Sequence, residues 1–317
     1  MTNTYFEILR PGINTTAQDK GRNHMYHIGI AVSGAIDQRN YKLSNKLVNN
    51  DLSEAVIEFA YQGPLLKLKN GKINFSITGN VFFKIIRKNS IVEDGICYKN
   101  YILEGEDQLD ILSTKNTVYG YLSVNGGFKL EKIWNSYSTN TKANIGSNNG
   151  KKYSTEDKIF IKNSNLQINK ETKINYSQFQ DNIIRVIKGT NFDFFSSKAQ
   201  NIFFKQEFSV TKLTDRMGIR LNGHKLENIV STNIKSEGLV RGAIQVPADG
   251  NPIIMLSDHG TIGGYPKIGV IISADLDRVG QLTPGSIINF KEVSLEEAQN
   301  IFKAYTDETN KYLNECN

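Results

Sequence analysis

The feature that most constrains this chain is a succession of short apolar runs cut by turn residues. Runs at 55–59, 65–68, 75–77, 81–86, 101–103, 109–111 and 117–124 recur at the spacing of about 8–12 residues expected of β-barrels and sandwiches. The intervening turns at 69–72 and 78–80 carry Asn70, Gly71 and Gly79, residue types that tolerate positive φ. Strand-like runs resume at 183–187 and continue to residue 290. Nothing in this order alternates helix with strand, which argues against a nucleotide-binding α/β sheet. Two segments read as helices. Asp37 can cap one that runs to about residue 48, with Leu43 and Leu47 on one face and Asn49-Asn50 at its end. Ser294-Leu295-Glu296-Glu297 is a capping box opening the other, in which Ala298, Ile301, Phe302 and Tyr305 recur at helical spacing. The fold class is therefore mainly β with a few helices.

At 317 residues the chain is large enough for two medium-sized cores. We divide it into an N-terminal β-rich half (1–130), a polar connecting segment (131–182) rich in Asn, Lys, Ser and Thr, and a C-terminal β-rich half ending in the last helix (183–317). Within the connecting segment, 159–161 and 166–168 are further candidate strands. Cys97 and Cys316 are the only cysteines, with Cys316 in a tail expected to fray, so neither a disulfide framework nor a thiolate metal cluster is expected. No apolar run approaches the length of about 18 residues needed to span a bilayer, and the first twenty residues do not read as a secretion signal. A cytoplasmic protein is expected, with no membrane partner. The net charge of +6 comes from scattered lysines, and only nine of the 38 basic residues are arginine. No basic stripe interleaved with aromatics appears, so nucleic acid is not the expected partner. A small anionic substrate is compatible with the charge.

The richest local chemistry lies at 257–269, Ser-Asp-His-Gly-Thr-Ile-Gly-Gly-Tyr-Pro-Lys-Ile-Gly. An apolar run at 252–256 feeds this polar turn, and another at 269–273 follows it. Thr261, the amides of Gly263 and Gly264, Tyr265 and Lys267 can together bind a carbonyl or phosphoryl oxygen, since such donors stabilise developing negative charge. The alternative is a Gly-Gly hairpin with no ligand. Gln18, Asp19 and Arg22 form a second candidate, either an anion clamp or an ion pair closing a loop. Ser33 and Gly34 lie just before Asp37, so their amides can face an anion. Asp215, Arg216 and Arg220 form a third group. In an extended segment both arginines share a face and Asp215 points away, giving either a clamp or ion pairs within the fold. Gln245, in an apolar run, must satisfy its amide on a ligand or a neighbouring turn. Ser257-Asp258-His259 has the residue types of a triad, but consecutive strand residues face opposite ways. His24 and His27 lack a second ligand pair. Residues 146–151 have the wrong spacing for a phosphate loop.

These residues also fall in the order of one family. The run Asp258-His259-Gly260-Thr261-Ile262-Gly263-Gly264-Tyr265-Pro266-Lys267-Ile268 is preceded by Pro11-Gly12, Thr15-Thr16-Ala17-Gln18-Asp19-Lys20-Gly21-Arg22 and Ser33-Gly34-Ala35-Ile36-Asp37. Between them lie Asn125-Gly126-Gly127, Asp215-Arg216-Met217-Gly218-Ile219-Arg220-Leu221 and Gly242-Ala243-Ile244-Gln245-Val246-Pro247, and after them Ser273-Ala274-Asp275-Leu276-Asp277 and Gln281-Leu282-Thr283-Pro284-Gly285. Together they resemble the biotin-dependent carboxyltransferase-like family. It comprises the allophanate hydrolase subunit 2 group, the KipA proteins and the C subunit of the prokaryotic 5-oxoprolinase. Ile262 and Asn125 depart from that family's threonine and alanine. The resemblance implies two cyclophilin-like β-barrel subdomains. It also implies one of three roles. The first is a subunit of an ATP-dependent 5-oxoprolinase acting with an A subunit and a KipI-like B subunit to open 5-oxo-L-proline to L-glutamate. The second is a carboxyltransferase component acting on urea or another amide, and the third a KipA-like antagonist of a histidine-kinase inhibitor. On the first, Arg216, Arg220 and the Gly263-Gly264 turn are expected to bind the anion, with Asp19 and Asp215 as orienting groups or bases. No Met-Lys-Met biotin-attachment site and no ATP motif occur in the chain. Biotin is thus not expected to be carried on it, and ATP use is expected through the assembly with its partners.

Overall fold

The computed structural model describes residues 3–162, 171–177 and 181–315. The chain forms two compact units. Residues 1–22, 33–178 and 309–317 make the first, and residues 23–32 and 179–308 the second. The polar segment from residue 131 thus contributes to the first unit up to residue 178, and a short excursion after the second strand belongs to the second unit.

In the first unit, eleven strands make two sheets. They are β1 (Tyr5–Arg10), β2 (Ile13–Gln18), β3 (Val56–Ala60), β4 (Leu65–Lys69), β5 (Lys72–Thr78), β6 (Val81–Ile86), β7 (Val92–Asp94), β8 (Asn100–Glu104), β9 (Gln108–Thr114), β10 (Tyr119–Val124) and β11 (Lys158–Phe160). One sheet runs β11-β1-β4-β9-β6-β7 and the other β2-β3-β10-β5-β8, and all their pairings are antiparallel. Alternation drives the packing. In β1, Phe6 and Ile8 point inward, and in β4 Leu66 and Leu68 do. They join Ile57, Phe59, Phe75, Leu122 and Phe128 in one core shared by both sheets. Every run assigned between 55 and 124 became a strand, as did 159–161 within a residue, whereas 166–168 lies outside the described residues. Asn70, Gly71 and Gly79 have the positive φ that their turns require.

Helix α1 (Gln38–Leu47) begins as the sequence indicates. The Asp37 carboxylate accepts the Asn40 N–H at 2.9 Å, a standard N-cap. Leu43 and Leu47 pack with Tyr98, Ile174 and Leu313 in a small second core.

The second unit is a closed barrel. Its strands are β12 (Ile183–Lys188), β13 (Phe208–Thr214), β14 (Gly218–Gly223), β15 (Glu237–Gly238), β16 (Ala243–Gln245), β17 (Ile253–Met255), β18 (Ile262–Gly263), β19 (Lys267–Ile271) and β20 (Ile287–Glu292). Seven close in the order β12-β19-β16-β17-β14-β13-β20, while β15 and β18 form a separate two-stranded ladder. Only the β12–β20 pairing in this barrel is parallel. Helix α2 (Ser197–Lys205), which the strand-like reading passed over, carries Phe203 against Phe290 at a ring separation of 4.5 Å. A short helix α3 (Leu276–Gly280) follows β19, and α4 (Leu295–Asn314) closes the chain. The predicted capping box opens α4. Ser294 N–H donates to Glu297 at 2.7 Å and Glu297 N–H donates to Ser294 Oγ at 3.1 Å. Ala298, Ile301 and Tyr305 pack on Ile272, Ala274 and Val293, whereas Phe302 faces outward.

Candidate functional site

Most of the chemistry-bearing residues of the barrel gather where the chain leaves β17. Strands β17 and β19 pair on opposite sides of β16. The segment joining them therefore crosses over β16 and is not a hairpin, which corrects that alternative. Instead, β18 pairs with β15 in a two-residue ladder. Gly263 is needed here for space, since a Cβ would stand 2.5 Å from Gln245 Nε2 and 2.8 Å from Leu239 Cδ1. Gln245 is buried in β16, and its amide donates to the Tyr265 carbonyl at 3.2 Å. A neighbouring turn therefore satisfies it. Thr261 is buried, Tyr265 is exposed, and the Lys267 ammonium, buried, meets the Glu237 carboxylate. That ion pair holds the Glu237 carboxyl below its ordinary value. Gly264 lies under residues 234–236, with Ile234 N–H bonded to its carbonyl at 2.9 Å.

The extended geometry expected for 215–220 does not occur, because 215–217 is the turn between β13 and β14. The exposed Asp215 carboxylate accepts Met217 N–H at 2.8 Å and Gly218 N–H at 3.3 Å, stabilising that turn. Arg216 is buried, and its guanidinium meets Asp258 at two points, Nε to Oδ2 at 2.8 Å and Nη2 to Oδ1 at 3.2 Å. Arg220 is exposed on β14, on the face opposite the buried Ile219 and Leu221. It lines an open groove of about 520 Å³ with Asp249 and Asn251. The two arginines are thus not one clamp.

No triad forms from Ser257, Asp258 and His259. Asp258 faces Arg216, while His259 turns both ring nitrogens elsewhere: Nδ1 lies 2.6 Å from the Gly260 carbonyl and Nε2 3.1 Å from the Tyr26 hydroxyl. Since a carbonyl only accepts, Nδ1 carries the proton and Nε2 offers its lone pair to the tyrosine. Burial pushes the His259 pKa down and the Tyr26 phenol up, so the resting pair is a neutral imidazole and an un-ionised phenol.

In the first unit, Asp19 is buried and organises residues 136–138. Its Oδ1 accepts from Gly21 N–H at 2.8 Å, Ser136 Oγ at 2.7 Å and Ser138 Oγ at 2.5 Å, and its Oδ2 accepts from Tyr137 N–H at 2.7 Å. Arg22, also buried, donates to the Ser138 carbonyl, and Gln18 donates to the Thr139 carbonyl at 2.9 Å. Ser33 adopts φ 58° and accepts from Asn140 Nδ2 at 3.2 Å. Gly34, at φ 86°, approaches Gly21 so closely that a Cβ would lie 2.8 Å from its nitrogen. Asp19, Arg22, Ser33 and Gly34 therefore share one buried network closed by residues 136–140. The buried Tyr41 hydroxyl has no hydrogen-bond partner among the described residues, and burial, with Asp19 adding to it, pushes that phenol upward. Among the described residues no group of three or more His, Cys, Asp or Glu side chains is placed to hold a metal, and His24 and His27 are exposed. No described helix is long and apolar enough to cross a membrane.

Residues 28–292 match the family model described as carboxyltransferase domain, subdomain A and B. The chain belongs to this family. It is 32% identical over 314 residues to the C subunit of 5-oxoprolinase from Haemophilus influenzae, covering 98% of this chain and 99% of that protein. It is 29% identical to the Escherichia coli protein of the same name, with 92% of each covered. The solved urea amidolyase of K. lactis superimposes with a TM-score of 0.88 at 25% identity, over 98% of this chain but only 20% of that one. The relatives named as 5-oxoprolinase subunits are thus matched over nine-tenths or more of their length, whereas the urea amidolyase is matched over one region.

Several residues of the site were missed by sequence reasoning. Asp258 and His259 stood inside the most informative run, yet their partners, Arg216 and Tyr26, lie 42 and 233 positions away. Glu237, Asn191, Ser136 and Ser138 gave no local signal. Each is an ordinary polar residue until the fold sets it against a buried charge.

Proposed function

We propose that this chain is a subunit of an ATP-dependent 5-oxoprolinase that opens 5-oxo-L-proline to L-glutamate with an A subunit and a KipI-like B subunit. The end-to-end match to the C subunit of 5-oxoprolinase carries this reading. A urea amidolyase contains the same region within a chain about five times longer, so a shared fold by itself speaks less for carboxyl transfer.

Opening the lactam breaks its C–N bond. The oxygen of water ends on the new carboxylate and the ring nitrogen leaves as the amine, which needs a proton. The Tyr26–His259 pair of the second unit is suited to moving one, because its phenol donates to a neutral Nε2 whose tautomer is fixed by the Gly260 carbonyl. Residues 146–151 do not fit a nucleotide phosphate. Their 3₁₀ turn spends the Gly150 and Lys151 amides on carbonyls of residues 146–148. We therefore assign nucleotide binding to the partner subunits and derive no step from it here.

The test combines the purified chain with its A and B partners and follows glutamate released from 5-oxoproline. Glutamate that appears only with ATP and all three proteins supports the proposal, and His259→Ala then lowers kcat by about tenfold or more. A stable three-protein complex that forms no glutamate refutes it and leaves carboxyl transfer or inhibitor antagonism as the reading.

A further inference from the structure

Lys267 presents an unusual asymmetry. Its side chain is 7% exposed, whereas that of its partner Glu237 is 44% exposed. The lysine belongs to β19 of the closed barrel. The glutamate belongs to residues 224–241, a strap whose sole strand is the two-residue β15. Its first part is fixed to the rest of the second unit by bonds from Leu226 N–H to Gly250, Ile229 N–H to Phe194 and Ser196 N–H to Glu227, whereas residues 230–239, which carry Glu237, are tied through the β15–β18 ladder and the bonds from Ile234 N–H to Gly264 and Leu239 N–H to Thr261, each 2.9 Å. Ile229, Val230 and Val240 on the strap remain exposed.

A second barrel-borne donor converges on the same carboxylate. Asn191, buried beside β19, accepts the Lys267 N–H on Oδ1 at 3.1 Å, and its own N–H reaches the Lys267 carbonyl at 3.3 Å. Fixing Oδ1 as the acceptor leaves Nδ2 to donate, and the Asn191 amide contributes to holding the Glu237 carboxyl below its ordinary value. The Lys267 ammonium, with the Asn191 amide bonded to its backbone beside it, thus offers positive charge and an N–H donor to a carboxylate. The carboxylate that meets them arrives on a separate segment.

A buried ammonium needs a counter-charge, which the carboxylate of a ligand supplies as well as a side chain does. We propose that Lys267 and Asn191 form a binding site for a small carboxylate, and that Glu237 occupies it as an internal surrogate which the ligand displaces as the strap lifts. The Gly263-Gly264 segment lies under the strap, so displacement uncovers Gln245 and Thr261 at the same moment. If the chain acts on 5-oxoproline, the carboxylate of that substrate is the ligand, and this identification alone rests on the proposed function.

Removing an internal competitor raises apparent affinity by the inverse of the fraction of molecules in which the site is open. Acetate, 5-oxo-L-proline and 2-pyrrolidinone, which lacks the carboxylate, are titrated into the full chain by ligand-observed NMR. Glu237→Ala and Glu237→Gln should bind acetate about tenfold or more tightly than the unaltered chain, with no gain for 2-pyrrolidinone. Adding Lys267→Met or Asn191→Ala to Glu237→Gln should erase the gain, with circular dichroism confirming the fold. If neither Glu237 variant gains affinity for acetate, or the gain survives Lys267→Met, the proposal is overturned and the ion pair is a structural latch. A gain for acetate without one for 5-oxoproline upholds the carboxylate site and counts against the 5-oxoprolinase reading. Glutamate formation by the assembled complex without any gain in the variants does the reverse.

Discussion

Replacing Asp258 by Asn tests how the barrel holds the segment that crosses β16. The Arg216 and Asp258 side chains are 5% and 2% exposed, and they meet at 2.8 Å and 3.2 Å. Asparagine keeps the shape of the aspartate but takes its charge away from beside a buried guanidinium. Disrupting such a pair from one side costs about 3–5 kcal/mol, because desolvation of the remaining ion is no longer offset. In a domain of this size each kcal/mol lowers Tm by about 2–4 °C, so D258N should melt about 6–20 °C below the unaltered chain. Arg216→Met should do comparable harm. The double variant R216M/D258N should lose less than the two singles together, since it strands neither charge, with a coupling of about 0.5–3 kcal/mol. Urea unfolding followed by far-UV circular dichroism gives all four corners of the cycle. A D258N cost below about 1 kcal/mol, or corners that add, would show that the pair is effectively solvated and that the reasoning from burial fails.

Four further outcomes follow from the structure. Gly263→Ala forces a methyl against Gln245 and Leu239 and should destabilise by about 1–3 kcal/mol, whereas Gly264→Ala, whose new methyl would come no closer than 3.3 Å to the Ile234 carbonyl oxygen, should cost less; equal costs in urea unfolding would refute this. His259 should titrate below the ordinary imidazole value of 6.5. The unfolded chain then takes up that proton first, so the stability this group contributes is present above 6.5 and lost as pH falls through the folded value. Tyr26→Phe removes the donor that favours the neutral ring and should move the His259 titration upward by NMR. Burial pushes the Cys97 thiol up to about 11, so its peptide should resist alkylation near neutral pH in the folded chain and react in urea, as read by mass spectrometry.

The sequence was most legible where a structure depends on its own neighbours. The N-cap of Asp37, the capping box at Ser294 and Glu297, the positive-φ turns at Asn70 and Gly79 and the strands from 55 to 124 are all short-range, and each was found where the sequence indicated. Helix α2 was missed because its apolar residues, Ala199, Ile202 and Phe203 among them, also suit a strand until Phe203 stacks on Phe290. The pairing of Arg216 with Arg220 failed because a turn at 215–217 rotates one arginine inward and leaves the other on the outer face of β14.

By itself the sequence determined a mainly β chain, its local caps and turns, and the family to which its ordered motifs belong, because those depend on residue type and spacing. Only the tertiary structure decided that Asp258 serves Arg216, that Tyr26 rather than Ser257 meets His259, and that Glu237 and Asn191 close on Lys267. Such partners are chosen by which buried charge or lone pair must be satisfied once strands distant in sequence are brought side by side, and no local pattern encodes that requirement.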